Sequence, residues 1–347
     1  MLASLAPVLG AGAAAKAGLL TPNGAAEAQI TDERARAAVA KAKAHAHDQG
    51  AASEHPGFRE GATVNHAANG FDPSELLRDF DHGRTRRLAS GRVLREWELF
   101  AQDKRIEVAP GVRFDAWTYN GRIPGPTLRC REGERLRIKF GNGSAHPHTI
   151  HFHGIHPARM DGVPGLGPGV IPPGGTVTYE FDAEPFGLHL YHCHALPLAD
   201  HIAKGMYGAF IVDPKRDRPV ADELVMVMNG FDTDFDRENE FYAVNSIPFA
   251  HMHEPVKVKR DELVRIYLVN MLEHDLINSM HIHGNFFHYY PTGTSLEPAE
   301  FTDTIMKCQG QRGILEVRFP YTGRYMFHAH QSEFAQLGWM GFFEVTG

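Results

Sequence analysis

The two halves of this 347-residue chain carry the same pattern of His-x-His pairs in the same order. Four of the pairs, two in each half, recur at corresponding places: His151/His153, His192/His194, His281/His283 and His328/His330. Corresponding pairs lie 281 − 151 = 130 and 328 − 192 = 136 residues apart. Solenoid repeats span only about 20–50 residues, so a period this long predicts two tandem domains.

A cysteine lies inside one of these pairs, and the residues that follow it form most of a blue-copper ligand set. Such a site takes two imidazoles, one thiolate and a weak axial thioether. Cys193, His201 and Met206 supply three of these groups, and we expect His148 to supply the second imidazole. Successive side chains of a strand point to opposite faces, so the two histidines beside the cysteine should face a second metal site.

The second half keeps its histidine pairs but lacks every strong ligand of the blue site. Alignment of the two halves places Asn278, Ala329 and Phe334 where the first half has its two imidazoles and its thiolate. The sequence therefore predicts one electron-accepting copper per chain, and it places that copper in the first half.

Short runs of branched residues, separated by Gly and Pro, predict strands joined by turns. The runs are 135–140, 176–181, 263–269 and 314–319, and the turn segments read IPGP, VPGLGPG and PPGG. This pattern favours an all-β Greek-key sandwich in each domain. We expect domain 1 to span residues 91–215 and domain 2 to span residues 216–347, which is an ordinary size for each.

The region before the first domain is expected to contain a leader and an arm. Residues 1–28 resemble an export signal, because Leu2 to Leu20 is mostly small and apolar and Ala26-Glu27-Ala28 fits a peptidase site, although no basic segment precedes them. Residues 29–90 are expected to form an N-terminal arm, partly helical or extended. No other stretch is long and apolar enough for a membrane span. We therefore expect an exported protein, periplasmic or extracellular.

Charge and cysteine content constrain the partners and the redox chemistry less strongly. A net charge of −7 and the lack of basic clusters argue against nucleic acid as a partner. Besides Cys193, the chain has Cys130 and Cys308. They could form a disulfide or remain free thiols, and position alone leaves both readings open.

From roughly residue 90 to residue 346 the chain resembles the multicopper oxidases, in particular the small two-domain laccase-like enzymes with blue copper in their first domain. The resemblance rests on the motifs HxxHxHG, HCH-x6-H-x4-M, HxHG and HxH. It implies two tandem cupredoxin-like domains, a type 1 copper and a trinuclear type 2/type 3 cluster, or about four copper ions per chain. It also implies which histidines surround the cluster: His151, His153, His192, His194, His281, His283, His328 and His330.

The same resemblance implies a homotrimer, with each cluster between domain 1 of one subunit and domain 2 of the next. The implied activity couples one-electron oxidation of a phenol, an aromatic amine or a metal ion to four-electron reduction of O2 to water. Similar oxidases carry acids near the cluster, and Asp161 and Glu333 are the corresponding residues here. We expect both to donate protons or to orient copper ligands.

Two other functions were weighed against this one. Copper-containing nitrite reductases are related, but they hold one mononuclear catalytic copper and lack the second histidine after the cysteine. Here His194 is present and all four pairs are complete, which favours a trinuclear cluster. A non-enzymatic copper-binding or electron-transfer protein would need only the Cys193 site, and it would leave eight histidines unexplained.

Overall fold

The computed structural model describes residues 63–347. The expected export signal and the part of the arm before residue 63 lie outside the described residues. None of the helices in the described range has the length and apolar composition needed to cross a membrane.

Strands dominate the described chain, and they fall into two groups along the sequence. The first group is β1 Phe80–Asp81, β2 Arg84–Arg87, β3 Val93–Ala109, β4 Val112–Tyr119, β5 Thr127–Arg131, β6 Arg135–Asn142, β7 His151–Phe152, β8 Thr176–Asp182, β9 Gly187–His192 and β10 Tyr207–Asp213. The second group is β11 Asp222–Phe231, β12 Phe241–Val244, β13 Val256–Lys259, β14 Val264–Asn270, β15 Ile277–Ile282, β16 Phe287–Pro291, β17 Glu300–Thr302, β18 Thr304–Cys308, β19 Arg312–Val317, β20 Gly323–His328 and β21 Met340–Thr346.

The helices are short and lie between strands. They are α1 His66–Asn69, α2 Pro73–Leu76, α3 Leu198–Ala203, α4 Ala250–His253 and α5 Ser332–Gln336, with one 3-10 turn at Ala158–Met160. Two of them, α3 and α5, follow the second His-x-His pair of each domain. They therefore occupy corresponding places in the two halves of the chain.

Each domain is a sandwich of two sheets. In the first domain the strand orders are β2-β3-β6-β8, with β4 also on β3, and β1-β5-β10-β9-β7. In the second they are β12-β11-β14-β19-β16-β17 and β13-β21-β20-β15-β18. The expected all-β architecture of two cupredoxin-like sandwiches is confirmed, and the four runs predicted as strands lie in β6, β8, β14 and β19.

Burial along corresponding strands shows how the domains face each other. In β6 buried and more exposed residues alternate, as expected for a sheet with one wet face. Every residue of the corresponding strand β14 is buried, because its second face lies against the first domain. Leu190 and Ile211 of the first domain share one apolar cluster with Val227 and Tyr267 of the second. The two domains thus share a common core.

The described part of the N-terminal arm packs on both domains of its own chain. Asn69 donates to the carbonyl of Glu107 at 2.8 Å and accepts from the amide of the same residue at 2.9 Å. Leu77 lies in the apolar core of the second domain, and β1 adds to the first domain beside β5. Residues 63–87 therefore fasten the two domains together.

Candidate metal centres

The four residues expected at the blue-copper site come from separate elements that meet inside the first domain. Cys193 follows β9, His201 lies in α3, Met206 directly precedes β10 and His148 precedes β7. All four side chains are at most 2% exposed. The amide of Cys193 donates to the carbonyl of Met206 at 2.9 Å, which fixes the end of β9 against the start of β10.

Three donor atoms of this group converge without any other group between them. The Sγ of Cys193 lies 3.1 Å from Nδ1 of His201 and 3.7 Å from Nδ1 of His148, and the two Nδ1 atoms are 3.1 Å apart. Such separations suit three donors around one first-row metal ion with bonds of about 2.0–2.3 Å. The Thr149 amide donates to Sγ at 3.3 Å. The donor set therefore fits copper.

Burial sets the protonation state of these ligands. It lowers the pKa of His148 to about 3 and that of His201 to about 4. Both imidazoles are therefore neutral at neutral pH, which is the state that binds metal. Burial raises the pKa of the Cys193 thiol, but a bound metal deprotonates a coordinating thiol.

On the side away from Cys193, four imidazoles of the first domain come together from the ends of β7 and β9. His151 and His192 are paired across β7 and β9, and Nε2 of His192 lies 2.9 Å from Nε2 of His153. The ring of His194 lies 5.5 Å from that of His151. The Nδ1 atom of His194 is buried with no hydrogen-bond partner among the described residues. A nitrogen in this state is expected where a metal ion is the missing partner. As predicted, the side chain of Cys193 points to one face and those of His192 and His194 point to the other.

The second domain repeats this arrangement. His281 and His328 are paired across β15 and β20, and Nε2 of His328 lies 2.9 Å from Nε2 of His283. The ring of His330 lies 5.5 Å from that of His281. Each domain thus holds a quartet of imidazoles, which we call the first and the second histidine quartet.

Acceptor groups behind the rings fix how the imidazoles are protonated. In the first quartet, Nδ1 of His192 lies 2.7 Å from the Cys193 carbonyl and Nδ1 of His151 lies 2.8 Å from Oδ1 of Asp161. A carbonyl only accepts a hydrogen bond, and so does an ionised carboxylate, so Nδ1 carries the proton and Nε2 is free for a metal. Asp161, one of the two acids expected from the sequence, therefore orients a quartet histidine.

The second quartet uses the same device with different partners. Nδ1 of His328 lies 2.6 Å from the Ala329 carbonyl. Nδ1 of His281 lies 2.9 Å from the Asp303 carbonyl and 2.8 Å from the hydroxyl of Thr304. The sequence interpretation missed Asp303 and Thr304, because they lie just before and at the start of β18, far along the chain from any histidine motif, and only the β15–β18 pairing brings them close.

Glu333, the other expected acid, lies in the first turn of α5 on the exposed side. Its charge raises the pKa of Tyr242 as one of several contributions, the largest being burial. Among the described contacts its side chain makes no hydrogen bond to a histidine. The structure therefore places Asp161, but not Glu333, against a quartet ring.

The two quartets of one chain do not contact each other. Ring contacts and metal-capable donor groups join histidines within each domain, and among residues 63–347 none joins one quartet to the other. The second quartet is partly open, with His283 and His330 exposed. Within one chain the two quartets are therefore separate groups of imidazoles.

Two other predictions concern residues outside these centres. Cys130 is buried, Cys308 is exposed, and both are free thiols, so the disulfide reading is wrong for this structure. His251 and His253, a His-x-His pair outside the repeated set, lie in α4 with His251 buried. Neither joins a group of metal-capable donors in the described part of the chain.

Comparison with known proteins gives a consistent family. Two multicopper oxidase family models match residues 101–217 and 218–347. A solved structure described as a multicopper oxidase is 66% identical, with a TM-score of 0.81 over 82% of this chain and all of that one. The blue copper oxidase from Nitrosomonas europaea is 27% identical, with a TM-score of 0.65 over 73% of this chain and 86% of that one.

Among curated proteins, the copper-containing nitrite reductase of Neisseria meningitidis serogroup A is 30% identical over 252 residues. The match covers 66% of this chain and 63% of that protein, so the chain spans somewhat under two thirds of this relative's length. The similarity extends over both domains, as the shared motifs suggested.

Proposed function

The chain belongs to the multicopper oxidase family, and we propose that it is a laccase-like oxidase that passes single electrons from a reductant to O2 and forms water. The observation that carries the proposal is Cys193, whose sulfur faces one donor group while the imidazoles on either side of it face another. Bound copper would supply the one-electron redox chemistry at both places. We place one copper at the Cys193 site and a three-copper cluster among the quartets.

The protein residues have separable tasks in this scheme. His148 and His201 hold the blue site in a dry, neutral pocket, and the ring of Trp117 covers both imidazoles at 5.4 and 4.7 Å. A groove of about 610 Å³ lies against Trp117, with His146 and Lys204 on its walls. We propose that the reductant, a small molecule or a metal ion, approaches there.

Proton delivery falls to acids near the quartets. Asp161 touches Nδ1 of His151 at 2.8 Å and is partly exposed, so it can both orient that ring and exchange protons with solvent. We propose it as the proton donor of the first quartet. For Glu333 the same proposal rests only on its place three residues after His330.

We further propose that the working enzyme is a homotrimer in which the first quartet of one subunit faces the second quartet of the next. Head-to-tail contacts of this kind close into rings. Exposed apolar side chains accompany both quartets, which is typical of a protein interface. They are Leu166, Val170 and Leu196 in the first domain and Phe286, Phe301 and Met306 in the second.

The decisive test of the activity combines copper analysis with oxygen uptake. We expect about four copper ions per chain and O2 consumption with phenols, Cu(I) or Fe(II), since a trinuclear cluster needs three ions beyond the blue one. Nitrite run beside these substrates tests the alternative suggested by the nitrite reductases among the relatives. About two copper ions per chain with nitrite turnover would overturn the oxidase proposal, and a single copper ion would indicate an electron carrier.

The trimer is tested by mixing two inactive variants. His153→Ala breaks the first quartet and His283→Ala breaks the second, and both should stay blue without consuming O2. If clusters form between subunits, co-assembly restores about a quarter of them, because some interfaces pair the two intact quartets. No recovered oxygen uptake, or a monomer by mass, would contradict the proposal.

Export of the protein is likewise a proposal, since the leader lies outside the described residues. Detection of the mature protein outside the cytoplasm, beginning after Ala28, would support it. Retention of the full-length chain in the cytoplasm would contradict it.

A further inference from the structure

A hydrogen-bonded chain of three residues runs from the solvent edge of the first domain to the buried ring of His148. The Ser144 hydroxyl donates to Oδ1 of Asp103 at 2.6 Å, and Nε2 of His148 lies 2.9 Å from the same hydroxyl. Asp103 also accepts from the amide of Ala145 at 2.9 Å. The carboxylate is exposed, whereas Ser144 and His148 are 4% and 0% exposed.

The donors and acceptors in the Asp103–Ser144–His148 series allow only one placement of the hydrogen-bonding protons. A serine hydroxyl has one hydrogen, and here it points to the Asp103 carboxylate, which can only accept when ionised. The hydroxyl can then only accept from His148, so Nε2 of His148 carries the ring proton. Nδ1 keeps its lone pair, and Nδ1 is the atom that faces the Cys193 sulfur.

The second domain provides a control within the same molecule, because it has the fold without the blue-site ligands. Ala101 pairs with Asn142 in the first domain, and Met228 pairs with Asn270 in the second, so Ala101 and Met228 hold equivalent positions. Two residues further along the strand, Gly230 therefore corresponds to Asp103. The amides of Ser144 and Leu272 both donate to the preceding asparagine side chain, which makes these two residues equivalent.

All three members of the chain are therefore replaced together in the second domain, by Gly230, Leu272 and Asn278. A Cβ at Gly230 would lie 2.6 Å from the Leu272 side chain, so an apolar group takes up the space that the polar chain occupies in the first domain. The fold does not require these polar groups, since the second sandwich is complete without them. Their presence goes with the blue-site ligands.

We propose that Asp103 and Ser144 are positioning residues that lock the tautomer of His148 and lower the reduction potential of the blue copper. The inference rests on the proposed function, because it takes Cys193, His148 and His201 to hold that copper. A carboxylate hydrogen-bonded to the far side of a ligating imidazole raises the basicity of the ring. A more basic ligand, and the negative charge itself, favour the oxidised, more positive ion.

The variant Asp103→Asn keeps the shape and removes the charge. We expect it to stay blue and to become easier to reduce, with the equilibrium constant for reduction by a fixed one-electron donor raised about tenfold, or about 59 mV. Asp115→Asn is the matched control, because Asp115 lines the same groove but pairs with Arg105 and is not bonded to Ser144. Its potential should stay close to that of the wild type.

Two further variants separate the hydrogen-bonded chain from charge alone. Ser144→Thr keeps a hydroxyl and should preserve the potential, whereas Ser144→Ala should raise it. Combining Ser144→Ala with Asp103→Asn should add little, since both changes break the same chain. Potentials come from spectroelectrochemical titration of the blue band, and the copper hyperfine splitting reports any change of the site.

The outcomes distinguish failure of this inference from failure of the proposed function. A wild-type protein that binds copper without a blue band would overturn both. A blue wild type whose Asp103→Asn variant has an unchanged potential would overturn only the role of Asp103. Equal shifts in the Asp103 and Asp115 variants would also reject it, because the groove charge alone would then explain the effect.

Discussion

The two domains build the same scaffold around pockets with opposite contents. In the first domain the amide of Cys193 donates to the Met206 carbonyl at 2.9 Å, and in the second the amide of Ala329 donates to the Trp339 carbonyl at 3.1 Å. Backbone geometry is thus shared even where no ligand remains. A thiolate and a thioether in one domain correspond to a methyl group and a buried indole in the other.

The aromatic contacts beside the two pockets also lie at equivalent positions but involve different side chains. The ring of Phe334 stacks on Tyr242 with centroids 4.0 Å apart, and the ring of His201 packs on Trp117 at 4.7 Å. Tyr242 and Trp117 hold matching places, since the amide of each donates to the carbonyl of the residue that follows the short helix, Leu337 for Tyr242 and Lys204 for Trp117. The comparison teaches that this sandwich forms with an apolar filling, which supports the proposed metal role of the polar lining in the first domain.

The sharpest test of this contrast removes the thiol from the first domain and introduces one at the equivalent position of the second. Cys193→Ser should abolish the blue absorption and the turnover, because no other residue supplies a thiolate to that pocket, and most cluster copper should remain. The reverse change, Ala329→Cys, should leave the second domain colourless, since Asn278 and Phe334 supply no imidazole there. Absorption spectra with copper analysis check both. Retained activity in the first variant, or a second blue centre in the other, would contradict the comparison.

A Glu–Arg–Glu triad repeats in both domains but in different surroundings. The triads, at matching strand positions, are Glu96/Arg137/Glu180 and Glu223/Arg265/Glu316. Arg137 is 30% exposed and Arg265 only 4%, because the second domain's sheet faces the first domain. The same triad is therefore partly exposed to solvent in the first domain, whereas its arginine is buried in the second.

Replacing each arginine by Gln turns this difference into a measurement. Arg265→Gln should lower the free energy of unfolding by about 3–5 kcal/mol, because it removes the ion pair of Glu316, a carboxylate only 7% exposed that then keeps just the Tyr290 hydroxyl. Arg137→Gln should cost about 1 kcal/mol or less, as exposed ion pairs do. Denaturant unfolding of the metal-free protein checks both. Equal losses would show that burial of the domain interface does not govern the triads.

The aromatic filling of the second pocket should matter most when metal is absent. Phe334 is 6% exposed and packed face to face on Tyr242, so Phe334→Ala should cost the metal-free protein about 3–5 kcal/mol. His201→Ala should cost less there, because the lost imidazole was a buried polar group. Copper should stabilise the wild type more than the His201 variant, which keeps both quartets but lacks the blue-site imidazole. Thermal unfolding with and without copper tests this, and a larger loss for His201→Ala without metal would refute it.

Much of the architecture could be predicted from the sequence because its signals were local or repeated. The period of the His-x-His pairs indicated tandem domains, and strand alternation around Cys193 predicted two faces with two kinds of site. The fold class and the family are confirmed. The blue-site group and the quartets converge within each domain at the expected residues, and their copper content stays a prediction.

What the sequence could not reveal depends on pairings between distant strands. Asp103 meets Ser144 only because β3 lies beside β6, and Thr304 meets His281 only because β18 adds to β15. Neither contact can be predicted from the spacing of the two residues along the sequence. The burial of β14 likewise depends on the packing of one domain against the other, which periodicity within one strand cannot encode. Glu333 was chosen by analogy alone, and the structure leaves it on the exposed side of α5.

Acid should destabilise the protein through buried histidines both with and without a metal role. Burial lowers the pKa of His153 to about 3 and that of His251 to about 4, from a usual 6.5. Below pH 6.5 the unfolded chain therefore takes up protons that the folded chain refuses, and stability falls as the pH drops towards these lowered values. Each such histidine contributes up to about 1.4 kcal/mol per pH unit.

Copper should keep the folded His153 ring unprotonated, so the contribution of His153 should persist for as long as the metal stays bound. The contribution of His251 should persist with or without copper. His251→Asn should therefore flatten the fall in unfolding free energy between about pH 6.5 and about pH 4 in both forms, by up to one proton per chain. His253→Asn, on the exposed side of the same helix, is the matched control and should change nothing. Urea unfolding across this range measures the slope. An unchanged slope in the His251 variant would mean that this ring is already protonated in the folded second domain, and the contrast between the two domains would then lie only in their copper ligands.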